Sequence, residues 1–323
     1  MKYELLIQNA QGKTFECSPI TDKVEFTTNR TGAPGKLEFS VLKSGELSFH
    51  EGNPVRFSVD GKLVFFGYVF TKSKDRWGVI SVTAYDQLRY LKSNESYVFS
   101  GMTAGQIIQQ IANDFELEVG FIEDTGYAIP SLIKENKCCL DIINHAMQLT
   151  TLNNGKVYVF YDDAGKLSLR KCEDLMSESI IGTKSLLTEY TYKTDIDSDT
   201  YNQIKLVRPN KESGKADTYI VKDSSNISRW GLLQRYETVD EQMNEAQITE
   251  QAKTMLAYYN RVLRTLSVKS LGVPGLRAGS MVMINVPDLG DISLSKFVML
   301  EKVTHTYENM LHTMEIETRS IPV

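Results

Sequence analysis

The sequence predicts an α+β chain that is mainly β, with two related antiparallel β-barrel domains, 1–95 and 187–323, flanking a small α/β domain at 96–186. Three observations predict it. Apolar residues alternate with a period of two from Tyr3 to about Ser93 and again from about Thr188, as half-buried strands do. The period changes to a helical one after Asn94. A single frame of apolar and turn residues also occurs twice, once toward each end.

In the first domain, residues 14–18, 24–28, 36–42, 54–59, 63–71 and 77–85 carry the alternation, and Asp60-Gly61 and Lys74-Asp75-Arg76 supply hairpin turns. In the middle domain Thr103 can cap a helix whose apolar positions are Ile107, Ile108, Ile111, Ala112 and Phe115. A second helix is expected at about 140–149 through Ile142, Ile143, Ala146 and Met147. Residues 157–161 and 166–170 then flank Asp162-Asp163-Ala164-Gly165 as a hairpin. Strands resume near Thr188 and at 203–208 and 217–222, on either side of a polar tip at 209–215. A long amphipathic helix is expected over about 239–264 with Ala246, Ala252, Met255, Leu256 and Tyr259, and strands from Leu266 to the end.

The duplicated frame is Gly52-x-x-Val55-x-Phe57-x-Val59-Asp60-Gly61 against Gly279-x-x-Val282-x-Ile284-x-Val286-Pro287-Asp288. Each copy leads into an apolar strand and a hairpin. Two such modules per chain would give a cyclic trimer six similar units, a pseudo-sixfold surface able to dock on a sixfold partner.

Composition narrows the function classes. The formal net charge of −5 argues against a surface built for nucleic acid, since such surfaces are usually basic. The longest apolar run, 63–70, is well short of the roughly 20 residues that cross a bilayer, and the first residues lack a secretory h-region, so no membrane insertion is expected. Of the four cysteines Cys138 and Cys139 are adjacent while Cys17 and Cys172 stand apart; buried thiols in a reducing compartment fit this better than a disulfide framework or a zinc knuckle.

Candidate chemistry is sparse. Gly12-Lys13-Thr14 has the end of a phosphate-binding loop but Ile7 where that loop needs its first glycine, so it reads as a β-turn. Cys138, Cys139 and His145 suggest a thiol and a base, yet His145 falls among the apolar residues of a short helix, and a reactive thiol needs an electropositive setting. Asp162 and Asp163 are adjacent in a turn, where carboxylates point apart instead of flanking one bond. His305 and His312 would face one another across a two-residue turn at Glu308-Asn309, on the same face as Val303, Tyr307, Met310, Met314 and Ile316. Such a pair could bind a metal in a trimer or sit neutral in a subunit interface; with no third ligand readable the interface is favoured. The long helix is expected to cover one barrel's open edge, with Glu250, Lys253, Arg261 and Arg264 as its solvated face. No catalytic, cofactor-binding or metal residue is assigned, and no enzymatic activity is expected.

Several segments together resemble the XkdQ/YqbQ-like family of phage and defective-prophage baseplate hub proteins: Phe66-Gly67-Tyr68-Val69, the run from Val82-Thr83-Ala84-Tyr85-Asp86 to Gln87-Leu88-Arg89-Tyr90-Leu91, Ser225-Asn226-Ile227-Ser228-Arg229-Trp230-Gly231-Leu232-Leu233-Gln234, the helix start Asn244-Glu245-Ala246-Gln247-Ile248, and Leu276-Arg277-Ala278-Gly279-Ser280. The resemblance implies a structural hub subunit of a contractile tail, forming a homotrimeric ring that adapts the sixfold tail tube to the threefold spike. It also implies the virion or tail-like particle as the location, after synthesis in the host bacterial cytoplasm. Implied partners are the tube protein, the spike protein and other baseplate proteins, with the tape measure protein as a further candidate and no sequence-specific nucleic acid. Rival readings are a tail-associated cell-wall hydrolase or peptidase, and a carbohydrate-binding β-protein using Trp77 and Trp230 as platforms.

Overall fold

A computed structural model describes residues 2–210, 215–239 and 241–319. The chain divides into two compact units, one formed by Met1–Thr191 with Ser267–Thr318 and the other by Tyr192–Leu266.

The first unit opens with β1 (Tyr3–Gln8), β2 (Thr14–Glu16), β3 (Thr21–Asn29), β4 (Lys36–Leu42), β5 (Pro54–Val59), β6 (Lys62–Lys74) and β7 (Val79–Tyr85). Alternation sets which face is buried: Leu37, Phe39 and Val41 on β4 and Val55, Phe57 and Val59 on β5 point to one core, while Glu38, Ser40, Arg56 and Ser58 point away. The expected Asp60-Gly61 turn is present, with both residues at positive φ (47° and 80°), as a two-residue hairpin requires. Between β6 and β7, Asp75 accepts from the Trp77 and Val79 amides (2.9 and 2.8 Å) to close the next turn.

The middle of this unit holds β8 (Asn94–Phe99), β9 (Met102–Thr103), α1 (Ala104–Asp114), β10 (Val119–Ile122), β11 (Ala128–Ile129), β12 (Leu132–Cys138), α2 (Cys139–Asn154), β13 (Tyr158–Asp162) and β14 (Leu167–Lys171). Thr103 caps α1 in a reciprocal box with Gln106, as its position suggested. The second helix runs five residues past its expected end and stops at Gly155, whose φ of 72° suits a glycine C-cap. Ile107, Ile108 and Ile111 of α1 pack with Ile142, Ile143 and Ala146 of α2 in a separate core.

After β15 (Met176–Gly182) and β16 (Leu187–Asp195), the second unit supplies β17 (Gln203–Asn210), β18 (Lys215–Lys222), α3 (Ser224–Trp230), β19 (Gln234–Thr238) and α4 (Glu245–Tyr259). β18 pairs antiparallel and β19 parallel with β17. Ile248 and Ala252 of α4 bury against Ile204 and Leu206 of β17. The long helix is thus shorter than the expected 239–264, and it covers this three-stranded sheet in place of a barrel edge, because its own unit offers an apolar sheet face. Glu250 and Lys253 are exposed as expected, whereas Arg261 and Arg264 lie past its end. The helix α3 and strand β19 were read only as motif residues, and 211–214 of the expected polar tip lie outside the described residues.

Strands β20 (Leu263–Leu271), β21 (Met281–Val286), β22 (Leu294–Glu308) and β23 (Leu311–Arg319) complete the chain. The strand-rich ends of the sequence belong to one 13-stranded sheet, ordered β16-β20-β23-β22-β3-β4-β7-β6-β5-β1-β2, with β21 on β22 and β15 on β21. Its first half wraps around its own core. Although β1 stands five places from β3 in that order, Tyr3 donates to the Thr21 carbonyl (3.3 Å), and Phe26 meets Phe65 edge-on at 5.6 Å. No strand pairing closes the sheet into a ring among the described residues.

The duplication is visible in the strand order. The run β3-β4-β7-β6-β5 is matched by β16-β20-β23-β22-β21. Its anchoring hydrogen bonds recur as well. The Gly52 amide donates to the Val69 carbonyl and the Val69 amide to Asn53 (2.8 and 2.9 Å); Gly279, Leu300 and Ser280 repeat this at 2.7 and 3.0 Å. The preceding turn, Asn53 N–H to His50 O, has its counterpart in Ser280 N–H to Arg277 O.

Candidate functional site

The sequence candidates for catalysis are placed apart or sealed. Gly12 (φ 79°) and Lys13 form a β-turn, in which the Asn9 carboxamide oxygen accepts from the Gln11 and Lys13 amides, and Lys13 pairs with Glu46. Cys139 is fully buried and its thiol is pushed up to about 11, by desolvation first and Cys138 second, the opposite of a nucleophile's requirement. Burial and then Lys134 hold the His145 imidazole below its ordinary range. Trp77 is 69% exposed but lies under the Arg76 guanidinium at 4.0 Å, while Trp230 is half-buried. No cluster of three or more His, Cys, Asp or Glu suited to a metal occurs among the described residues.

The histidine pair meets by another geometry. The turn falls at Asn309-Met310, both at positive φ (51° and 62°), one residue later than the expected Glu308-Asn309. Tyr307 therefore faces His312, and His305 faces Met314; Met310 sits exposed in the turn. The imidazoles touch diagonally across the hairpin, with His305 Nδ1 and His312 Nε2 at 2.8 Å. His305 Nε2 lies 2.6 Å from the Leu276 carbonyl oxygen. A carbonyl can only accept, so His305 carries its proton on Nε2 and its Nδ1 accepts from His312 Nε2–H. Both rings are then neutral, and both nitrogens of His305 are occupied. Desolvation lowers both pKa values, that of His312 to about 4 with His305 adding to the shift. The His312 ring lies where a Cβ on Gly272 would come within 2.1 Å of its Cγ, so that position accepts only glycine.

A buried polar joint that the sequence did not reveal ties three distant segments of the first unit. Asp86, after β7, accepts from the Gly35 and Leu88 amides (2.8 and 3.0 Å). Asp162, at the end of β13, accepts from the Gly165 amide (2.6 Å) and the Gln87 carboxamide (3.2 Å). Arg277, just before β21, stacks on Tyr161 at 3.7 Å and donates to the Asp162 carbonyl at 3.1 Å. Burial raises both carboxyl pKa values, that of Asp86 strongly and with Asp162 adding to it. Asp163, the neighbour once paired with Asp162, faces solvent. The only sequence signal was the polar exit Tyr85-Asp86-Gln87 after an apolar strand.

The feature most suited to assembly is the seam between β22 and β3. Residues 302–308 pair antiparallel with 23–29. Arg30 donates from Nε to Glu301 at 2.9 Å, the Thr27 and Thr304 hydroxyls meet at 3.0 Å, and Tyr307 enters the first core against Phe57 at 5.1 Å. Here one module grips the other by strand addition, in which main-chain hydrogen bonds along the edge supply the affinity.

Comparison with known proteins places this architecture. The model of the YQBQ-like family matches residues 24–319. The uncharacterized protein YqbQ of Bacillus subtilis (strain 168) is 35% identical over 314 residues, covering 94% of each chain. The phage-like element PBSX protein XkdQ of the same organism is 33% identical over 305 residues, 92% of each. In structure, the 43 kDa tail protein of prophage MuSo2 from Shewanella oneidensis superposes with a TM-score of 0.69 at 13% identity, covering 98% of both chains.

Proposed function

This chain belongs to the YQBQ-like family, and from that premise we propose that it is a structural subunit of a phage-type tail, the baseplate hub that joins the sixfold tail tube to the threefold spike. The carrying observation is the duplicated strand order, β3-β4-β7-β6-β5 and β16-β20-β23-β22-β21. Each run acts as a tube-type, barrel-like module. Three copies in a ring then offer six comparable platforms to a hexameric neighbour while keeping threefold symmetry for the spike. In this reading 1–95 and 187–323 carry the modules and 96–186 is a peripheral insert. The work is architectural: to hold a continuous channel, match symmetries and anchor the spike, within the baseplate of a virion or tail-like particle. Its partners are further copies of itself, the tube and spike proteins and neighbouring baseplate proteins. The burial of Cys17, Cys139 and Cys172 and the full occupation of His305 favour this over a hydrolytic role.

The test is the position and copy number of the chain in assembled particles, read by electron cryomicroscopy. Three copies at the tube–spike junction are expected; density elsewhere, or cell-wall cleavage by the purified chain, would overturn the proposal.

A further inference from the structure

Resting on the ring just proposed, we infer that the distal half of β6 in one copy pairs antiparallel with β16 of the next, so that the seam seen once inside each chain recurs between chains. The argument starts from β22. Leu300 bonds to Gly279 and Ser280 beside β21, while it pairs with Thr318 of β23. These partners must lie on opposite edges of β22, since each edge of a strand serves one neighbour. Residues 302–308 continue along β23 and also pair with β3. β3 therefore occupies the edge that β21 leaves.

On β6, the counterpart of β22, Val69 bonds to Gly52 and Asn53 beside β5 and pairs with Ala84 of β7. Beyond it, Thr71–Lys74 pair with β7 and have no strand on the β5 side among the described residues. Thr71, Ser73 and Lys74 are exposed. β16, the counterpart of β3, pairs with β20 and ends the sheet among the described residues, whereas β3 has β4 on one edge and β22 on the other. Each module thus has one half of the same junction: the pair β22 and β3 is satisfied within the chain, and the pair β6 and β16 is left open at its two far ends. Unpaired edges are templates for strand addition. A second copy supplies both complements, and repeating the operation around a threefold axis leaves no edge of this kind unmatched. The first six residues of β16, Leu187-Thr188-Glu189-Tyr190-Thr191-Tyr192, are rich in the β-branched and aromatic residues that strand pairing favours. The open stretch on β6 is shorter than its counterpart, so the seam between copies is the shorter of the two.

The register can be carried over. Val69 stands for Leu300, and Val24-Glu25-Phe26 aligns with Tyr190-Thr191-Tyr192 by its apolar positions. The observed pairing of Thr304 with Thr27 then becomes Ser73 opposite Lys193 of the neighbouring copy. Residues directly opposite in an antiparallel pair hold their Cβ atoms about 5 Å apart, within reach of a short bismaleimide.

The experiment uses assembled particles carrying Ser73→Cys with Lys193→Cys, both exposed positions, treated with that reagent and run on a denaturing gel. Crosslinked species of two and three copies are expected from the double variant and none from either single variant. A second pair, Thr71→Cys with Asp195→Cys, reads the same strand contact if the first impairs assembly. Particles that hold three copies per ring but yield no crosslink from either pair would overturn the strand pairing and leave the ring standing. A copy number other than three would overturn the ring itself.

Discussion

Gly52 and Gly279 hold the same place in the two modules, at φ 82° and 88°, yet their surroundings differ. A Cβ on Gly52 meets open space, while one on Gly279 would fall 2.3 Å from Val159 Cγ1. Gly52→Ala should therefore cost only the left-handed backbone term, about 1–2 kcal/mol, and Gly279→Ala should add overpacking of about 1–3 kcal/mol. Urea titration of the two variants checks the order. The neutral histidine pair makes a second prediction. Because the folded state holds His312 near 4, below its ordinary 6.5, it binds the proton less well than the unfolded chain. The stability from this pair is complete above about pH 6.5 and is lost as pH falls toward 4. His312→Phe keeps a ring against Tyr307 but leaves His305 Nδ1 without a donor. It should cost about 1 kcal/mol at pH 7.5 and lose less on acidification than the parent; melting temperatures from pH 7.5 to 4.5 measure both.

At the scale of elements, caps and turns were the best-written features. Thr103 with Gln106 and Asn244 with Gln247 form reciprocal boxes, and both helices begin where these residues stand. Thr103→Ala should cost about 1 kcal/mol, seen as a lower urea midpoint with an unchanged m-value. Boundaries were less legible. The hairpin turn slid by one residue because Asn309-Met310 adopts left-handed conformations that a sequence permits at several positions, and only the burial of His305, Tyr307 and Met314 selects the register. The strand β15 went unread: its burial pattern alternates only weakly, and its partner β21 is parallel and a hundred residues away.

At the scale of the whole molecule, the joint of Asp86, Asp162 and Arg277 determines how the first unit coheres. Its members come from separate segments, and removing Arg277 takes away the cation that favours ionisation of the two buried carboxyls. Arg277→Met removes the donor to the Asp162 carbonyl and should destabilise the fold by about 1–3 kcal/mol at pH 7, measured by chemical denaturation. The raised carboxyl pKa values give the sign of its pH dependence. The folded state holds these protons more tightly than the unfolded chain, so stability falls as pH rises above the ordinary carboxylate range. Lowering the pH should therefore recover part of the Arg277→Met deficit.

The amino-acid sequence by itself determined the mainly β character, the helix start at Thr103, the Asp60-Gly61 turn and the repeated frame around Gly52 and Gly279, because period, capping and turn chemistry act over a few residues. Only the tertiary structure decided the seam of β22 on β3, where Thr27 meets Thr304 across 277 positions, the parallel seat of β15 and the polar joint at Arg277. These pairings are settled by competition among many strand edges and apolar faces of similar local propensity. What selects one is the shared burial of Tyr307 with the first core and of Arg277 with two carboxyls, which exists once the chain has closed on itself.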